Sequence, residues 1–336
     1  MNTWRQTGTM RIAVIGATGH VGGYLVPRLV RAGHDVIAIS RGASSPYRAD
    51  AAWDTVEKLA IDRERADGAG TFGETVAALN ADVVIDMICF TPESAAQLVD
   101  ALRGRAQHLV MCSSIWAKGT LTEVPAPEDI DSEPWGKYGV GKAAMEAFLE
   151  AEGRRADGLR STSLRPGHIS GPGWHVINPL GNLDPAVWEA LAAGTPLTVP
   201  NFGLETVHHV HADDVAQAFE LVVDRGVGAT AERYNVVSER ALTIRGFAES
   251  VARGFGREAV LSFGTFDEFR QTTTDEFAET SLAHISRSQS MSIEKAKRDL
   301  GYAPKYSSLA AVAEAVNWLK RDGQLTLDGR ELTVCS

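Results

Sequence analysis

A short apolar run, Arg11–Ile15 (RIAVI), stops at Gly16 and leads straight into Gly16-Ala17-Thr18-Gly19-His20-Val21-Gly22. Residues 21–32 follow, with Val21, Leu25, Leu29 and Val30 at helical spacing. A strand that turns through regularly spaced glycines into a helix restricts the chain to few folds. Gly16 allows the tight turn, Gly19 lets the main chain approach a pyrophosphate, and Gly22 lets the helix pack closely. The helix N-terminus adds N–H donors and positive potential at the same place. Gly16, Thr18, Gly19, His20, Val21 and Gly22 are therefore the candidate contacts to a dinucleotide.

Further β-branched runs occur at Asp35–Ser40 (DVIAIS), 82–88 (DVVIDMI) and His108–Cys112 (HLVMC), with helical stretches at 72–79 and 94–102 between them. Buried strands alternating with helices predict a parallel sheet covered on both faces. After about residue 165 the pattern changes. Residues 170–204 are rich in Gly, Pro and Asn around one helix at Pro185–Ala193, and 205–238 return to strand and helix. Helices are expected at 243–254, 292–299 and 308–320. A chain of 336 residues exceeds the usual single-core size. The expected fold is α/β: a Rossmann-type doubly wound parallel sheet over 11–169 plus about 205–238. A smaller C-terminal α+β substrate domain takes 170–204 and 239–330.

The end of the second strand selects the cofactor. A site for NAD usually places a carboxylate there to take the ribose hydroxyls. This chain has Ser40 followed by Arg41. A small hydroxyl leaves room for a 2′-phosphate and a guanidinium can pair with it, so NADP(H) is expected, with NAD the alternative. Asp62, after the third strand, is a candidate acceptor for the adenine amino group.

Tyr138 and Lys142 stand at i and i+4 of a predicted helix, on one face. A free phenol, pKa about 10, is a poor base near neutrality; a nearby ammonium favours its phenolate. That suits a group exchanging a hydroxyl proton during hydride transfer. Y-x-x-x-K alone is common by chance. Ser114 sharpens the reading, because it follows the strand His108–Cys112 at the sheet edge where open α/β sheets bind ligands.

The formal net charge of −10, without a basic stripe, argues against nucleic-acid partners. Cys89, Cys112 and Cys335 have no disulfide or metal-ligand spacing, which favours the reducing cytoplasm. No apolar run nears the roughly 18 residues of a membrane span. The segment before Met10 reads as a loose leader, with Met10 an alternative start.

These segments together resemble the extended short-chain dehydrogenase/reductases of the NAD-dependent epimerase/dehydratase family. The resemblance rests on GATGHVGG, Ser113-Ser114, Tyr138 with Lys142, Leu164-Arg165-Pro166-Gly167 with Gly171-Pro172, and Val210-His211-Ala212-Asp213-Asp214-Val215-Ala216. Lys295-Ala296 and Leu300-Gly301-Tyr302-Ala303-Pro304 extend it to the C-terminal part. It implies that Tyr138 is the acid/base, that Lys142 orients the nicotinamide ribose and lowers the phenol pKa, and that Ser114 polarises the substrate oxygen. Pro166, His168, Met87 and Cys89 would border the nicotinamide. It also implies a homodimer paired through the Tyr/Lys helix.

Departures narrow the chemistry. His168 stands where sugar-nucleotide enzymes of the family usually carry Asn, and His208 where they usually carry Arg; a missing cationic fork weakens a pyrophosphate substrate. Ile115-Trp116 replaces the Asp-Glu pair of the 4,6-dehydratases. His208, His209 and His211 lack a carboxylate or thiol to complete a metal set, and no metal is expected. Trp116, Trp174 and His208 are candidate substrate contacts, and Trp135 a further pocket wall. The expected activity is interconversion of a secondary alcohol and a ketone on a small polar molecule, with sugar-like compounds in view. A sugar or sugar-nucleotide epimerase is the alternative; a cofactor sensor or an RNA-binding relative is the non-enzymatic one.

Overall fold

The computed structural model describes residues 8–42, 46, 48–130, 132–226 and 231–334. The segment before Gly8 and Cys335 lie outside the described residues. Six strands lead the chain: β1 (Arg11–Ile15), β2 (Asp35–Ser40), β3 (Glu57–Ala60), β4 (Val83–Asp86), β5 (His108–Cys112) and β6 (Ser161–Pro166). Five helices connect them: α1 (Gly22–Arg31), α2 (Arg63–Gly68), α3 (Phe72–Ala77), α4 (Pro92–Leu102) and α5 (Lys137–Gly153). After them come β7 (His168–Ser170), α6 (Pro185–Ala193), β8 (Leu197–Pro200), β9 (Thr206–Val207), β10 (His209–His211), α7 (Ala212–Arg225) and β11 (Ala231–Val236). The last third holds β12 (Leu242–Thr243), α8 (Ile244–Gly254), β13 (Leu261–Gly264), α9 (Phe266–Arg270), α10 (Asp275–Ile285), α11 (Glu294–Leu300) and α12 (Ser308–Arg321).

Seven strands form one sheet in the order β11-β6-β5-β4-β1-β2-β3, and every pairing is parallel. The order reverses between β1 and β4, the switch point where ligands of such sheets lie. The central strands β1, β4 and β5, and most of β2, are buried on both faces, as their apolar runs require, whereas the edge strand β3 is largely exposed. Ile12, Val14, Leu25 and Leu29 join Phe219 and Val222 of α7 on one face. Ala13, Ile15, Phe72, Leu98, Met145 and Leu149 fill the other. A third apolar cluster gathers Trp188, Val199, Phe247, Val251, Phe269, Val312 and Val316, all from the chain after β7. This is the doubly wound Rossmann architecture.

Three motifs act as fasteners. Asp214 accepts from the main-chain N–H groups of Lys305 (2.8 Å) and Tyr306 (3.1 Å), and the Tyr302 hydroxyl donates to the Val237 carbonyl (3.1 Å). These bonds tie α7 and β11 to the C-terminal segment. Arg165 of β6 pairs with Glu146 of α5; both side chains are buried, and the Ser113 hydroxyl also donates to Glu146. The pair fixes α5 against the strand that ends at the site.

Candidate active site

The glycine loop turns as its residue types require. Gly16 has φ +85°, and a Cβ on Gly22 would stand 2.2 Å from the Ala17 carbonyl oxygen. No larger residue fits the second position without moving α1 away from β1. The loop, the α1 N-terminus and the ends of β1 and β4 form a cradle of the shape a dinucleotide needs. His20 is buried in this loop; its Nε2–H donates to the Pro172 carbonyl (3.1 Å), and burial depresses its pKa to about 4.

At the end of β2 the Ser40 hydroxyl accepts from the Gly42 N–H (3.2 Å), and Arg41 is exposed beside it. Asp62 is exposed just after β3. Its carboxylate caps α2 by accepting from the Arg65 N–H (3.1 Å), a local use to which a helix N-terminus readily commits an Asp.

Ser114 starts a 3₁₀ turn (Ile115–Ala117) after β5, and its hydroxyl accepts from the Trp116 N–H (3.1 Å). Tyr138 lies in the first turn of α5, with the Ser114 hydroxyl in hydrogen-bonding reach of its phenol. Together with Ile115, Trp116, Gly167, His168 and His284 they line a pocket of about 210 Å³. The Trp116 ring meets Tyr138 edge-on at 5.9 Å and His284 at 4.9 Å.

Lys142 is anchored by the main chain. Its ammonium is buried and donates to the carbonyls of Cys89 and Cys112, each at 2.7 Å. The Tyr138 phenol is pushed up, to about 12, by desolvation; the Ser114 hydroxyl only partly offsets it. The Lys142 Nζ stands 5.7 Å from the Tyr138 ring centre. Cys89 contributes its carbonyl to this clamp while its thiol is buried. Met87 is partly buried at the end of β4, and Pro166 closes β6 next to the pocket residue Gly167.

Two of the expected substrate contacts lie elsewhere. His208 is 1% exposed; its Nε2–H donates to the Ser238 carbonyl (2.9 Å) and its Nδ1 accepts from the Met291 N–H (3.1 Å). Both nitrogens are consumed by main chain, so His208 is a structural link. His208→Phe is expected to destabilise the fold by about 1–3 kcal/mol for each buried group it orphans. Chemical denaturation measures that, and affinity for the nicotinamide cofactor should stay unchanged. Trp174 is half-exposed and stacks on His20 (5.9 Å, 13° between planes), outside the residues lining the pocket. His168 and Trp116 do line it.

The sequence reading missed His284 and Arg287. Arg287 is buried behind the pocket, its guanidinium 3.8 Å from the Trp116 ring centre and 3.5 Å from that of Trp135. Thr274 with Asp275-Glu276 is an N-cap signature, and it could have announced α10, which carries His284 and ends two residues before Arg287. Among the described residues, no three His, Cys, Asp or Glu side chains are grouped to hold a metal, and no helix is long and apolar enough to cross a membrane.

The model of the NAD dependent epimerase/dehydratase family matches residues 12–236. The 2′-dehydrokanamycin reductase of Streptomyces kanamyceticus is 31% identical over 224 residues, which cover 66% of this chain and 60% of that reductase. The chloroplast stem-loop binding protein of 41 kDa b from Arabidopsis thaliana is 26% identical over 318 residues, covering 91% of this chain and 78% of its own length. Among solved structures, the UDP-glucose 4-epimerase of Thermotoga maritima has the same fold, with a TM-score of 0.70 at 19% identity over 93% of this chain and 99% of that one. The strand–glycine-loop–helix cradle, the Ser114–Tyr138–Lys142 arrangement and the family match over most of the sheet lead to one identification: this chain belongs to the NAD-dependent epimerase/dehydratase family and is an enzyme of the short-chain dehydrogenase/reductase type.

Proposed function

We propose that the chain is an NADP(H)-preferring oxidoreductase that interconverts a secondary alcohol and a ketone on a small, polar, sugar-like molecule. The observation that carries this reading is the pairing of the Ser114 and Tyr138 hydroxyls on one pocket at the sheet's C-terminal edge. Two hydroxyls there can hold a carbonyl oxygen and hand it a proton. Hydride exchange at the adjacent carbon is the chemistry that bound NADP(H) supplies. Lys142 uses two of its three N–H donors on the Cys89 and Cys112 carbonyls, leaving the third for a ribose hydroxyl. A relative named for reducing a keto-aminoglycoside supports ketone reduction on a sugar ring. The pocket lining carries no cationic side chain for a diphosphate, which weighs against the sugar-nucleotide epimerase reading. A net charge of −10 weighs against RNA, the ligand class in the plant relative's name. We place the smaller substrate domain in 170–204 and 239–330 and the enzyme in the cytoplasm, in line with the free thiols of Cys89 and Cys112.

Cofactor choice is tested by calorimetry. NADPH is expected to bind more tightly than NADH, because no carboxylate ends β2 and Arg41 is exposed beside Ser40. Arg41→Ala should narrow the difference by about 1–3 kcal/mol, the scale of a charge-assisted hydrogen bond. Equal affinities in the parent chain would refute the preference.

The assembly proposed is a two-fold dimer through α5 and its neighbour α4. Val140, Ala144 and Ala147 leave an exposed apolar stripe on α5. Such an interface should bury about 1,200 Å² or more. Light scattering at micromolar concentration should report twice the chain mass of 36.1 kDa; a single chain mass contradicts the dimer.

A further inference from the structure

The turn at the switch point is held from both sides. Asp86 ends β4 and is fully buried. One of its carboxylate oxygens accepts from the Ile88 N–H (3.0 Å), which shapes residues 86–89. The Met87 N–H donates to the Ile15 carbonyl at the end of β1 (3.1 Å). Ile88 lies against the glycine loop, its Cγ2 3.0 Å from where a Cβ on Gly16 would stand. The turn ends in Cys89, whose carbonyl holds the Lys142 ammonium at 2.7 Å. These four residues therefore back the dinucleotide loop and carry one of the two anchors of Lys142.

The charged partner of Asp86 is Arg63, the first residue of α2, itself buried. It reaches the carboxylate with a single nitrogen: Nη1 stands 2.6 Å from both Oδ1 and Oδ2. The rest of the guanidinium is engaged elsewhere, Nε with Asp67 and Ser94 (3.2 Å each) and Nη2 with Ser94 (2.9 Å). Stability alone gives weak grounds for a buried ion pair, since apolar side chains of similar volume often serve a fold as well. The position of this pair gives better ones. Arg63 comes from the β3 side of the switch point and Lys142 from the β5 side, and both bear on the same turn. A dinucleotide lies across that point.

We propose that Arg63 and Asp86 are a positioning pair for the nicotinamide cofactor: they fix the turn of residues 86–89 and, through the Cys89 carbonyl, the direction in which Lys142 presents its remaining N–H. Neither side chain takes part in proton or hydride transfer. Because the pair acts through Lys142, it rests on the reading of Lys142 as a ribose contact in a nicotinamide-dependent oxidoreductase.

The test is a double-mutant cycle between Arg63→Met and Lys142→Met on the full chain, read by calorimetry with NADPH, or with NADH if the parent chain prefers it. Arg63→Met is expected to weaken cofactor binding by about 3- to 30-fold, within the range of couplings between residues that share partners. Lys142→Met weakens it too. The double variant should bind no worse than the weaker-binding single variant, because both changes undo one arrangement. Losses that multiply overturn the proposal. So does an Arg63→Met chain that binds the cofactor like the parent and only unfolds at a lower temperature, since the pair then serves the fold alone.

Arg63→Lys is the conservative check. One nitrogen meets Asp86, so a lysine ammonium can take its place, whereas the Asp67 and Ser94 contacts are lost. Affinity near the parental value is expected; a loss as large as that of Arg63→Met moves the role to Asp67 and Ser94 and overturns the pair. Should Arg63→Met not fold, Asp86→Ala, which leaves Arg63 its second counter-ion Asp67, takes its place in the cycle with the same expectations. A parent chain that binds neither NADPH nor NADH defeats the oxidoreductase reading and the pair with it. Multiplied losses in a chain that does bind defeat the pair alone.

Discussion

Tyr138→Phe is expected to lower turnover by about 10²- to 10⁴-fold, the span of general acid–base catalysis, while leaving affinity for NADPH near the parental value. The substitution keeps the ring that packs against Trp116 and Phe90 and removes only the transferable proton. The pKa of about 12 sets the direction of the effect. A phenol raised that far is protonated throughout the neutral range, ready to give its proton to the oxygen of a ketone being reduced. Reduction should therefore vary little with pH near neutrality, whereas alcohol oxidation, which needs the phenolate, should quicken as pH rises. Lys142→Met should harm both turnover and cofactor affinity, because it removes the clamp between the Cys89 and Cys112 carbonyls. Ser114→Ala should cost less than Tyr138→Phe if the serine only polarises. A Tyr138→Phe chain that reduces its substrate at near-parental rate contradicts the acid/base assignment.

The second large effect is expected on stability below neutral pH. His20, His108, His208 and His211 are each depressed to about 4 by burial, and His209 to about 3. All five are at most 9% exposed. A folded-state pKa below the unfolded value near 6.5 means the native state resists protonation. The stabilisation is fully present above pH 6.5 and is lost as pH falls towards 4. At about 1.4 kcal/mol per unit, each histidine costs about 3 kcal/mol across that window. Asp214 works the other way: burial raises it to about 6, so acidification relieves it by about 3 kcal/mol. Glu128, also raised by burial, acts in the same direction, but two carboxylates do not offset five imidazoles, whose combined cost reaches the whole stability of a typical domain, about 5–15 kcal/mol. Circular dichroism at 25 °C should show the native signal lost between about pH 6 and pH 4, with the decline spread over that interval. A chain that keeps its full unfolding free energy at pH 4 contradicts the buried neutral histidines.

Local signals were read well from the sequence, and distant partners were not. The bounds of β1, β2, β5 and α6 follow directly from apolar runs, glycine stops and the Asp184-Pro185 start, because short-range sterics decide them. The glycine loop and the Ser114–Tyr138–Lys142 order were legible for the same reason: each residue type is required where it stands. His208 was misread because its partners, Ser238 and Met291, lie 30 and 83 residues away. A histidine's residue type does not tell whether main chain or substrate takes its nitrogens. For Lys142 the i and i+4 spacing placed it beside the tyrosine, but its anchors, the carbonyls of Cys89 and of Cys112 at the end of β5, are distant in sequence and could not be read. His284 went unseen because α10, whose start is marked by the N-cap Thr274, was not expected, and the sequence shows nothing of the distant pocket it reaches.

Transfer of deuterium from NADPH labelled at nicotinamide C4 tests the central claim most directly. The purified chain is incubated with labelled NADPH and a panel of ring ketones that includes 2′-dehydrokanamycin and scyllo-inosose, and the products are analysed by mass spectrometry and NMR. The account predicts one deuterium on the new carbinol carbon for each NADPH oxidised, and loss of both signals in Tyr138→Phe. Interconversion of UDP-glucose and UDP-galactose with the cofactor retained and no net NADPH oxidation, alongside no reduction of any ketone in the panel, would contradict it.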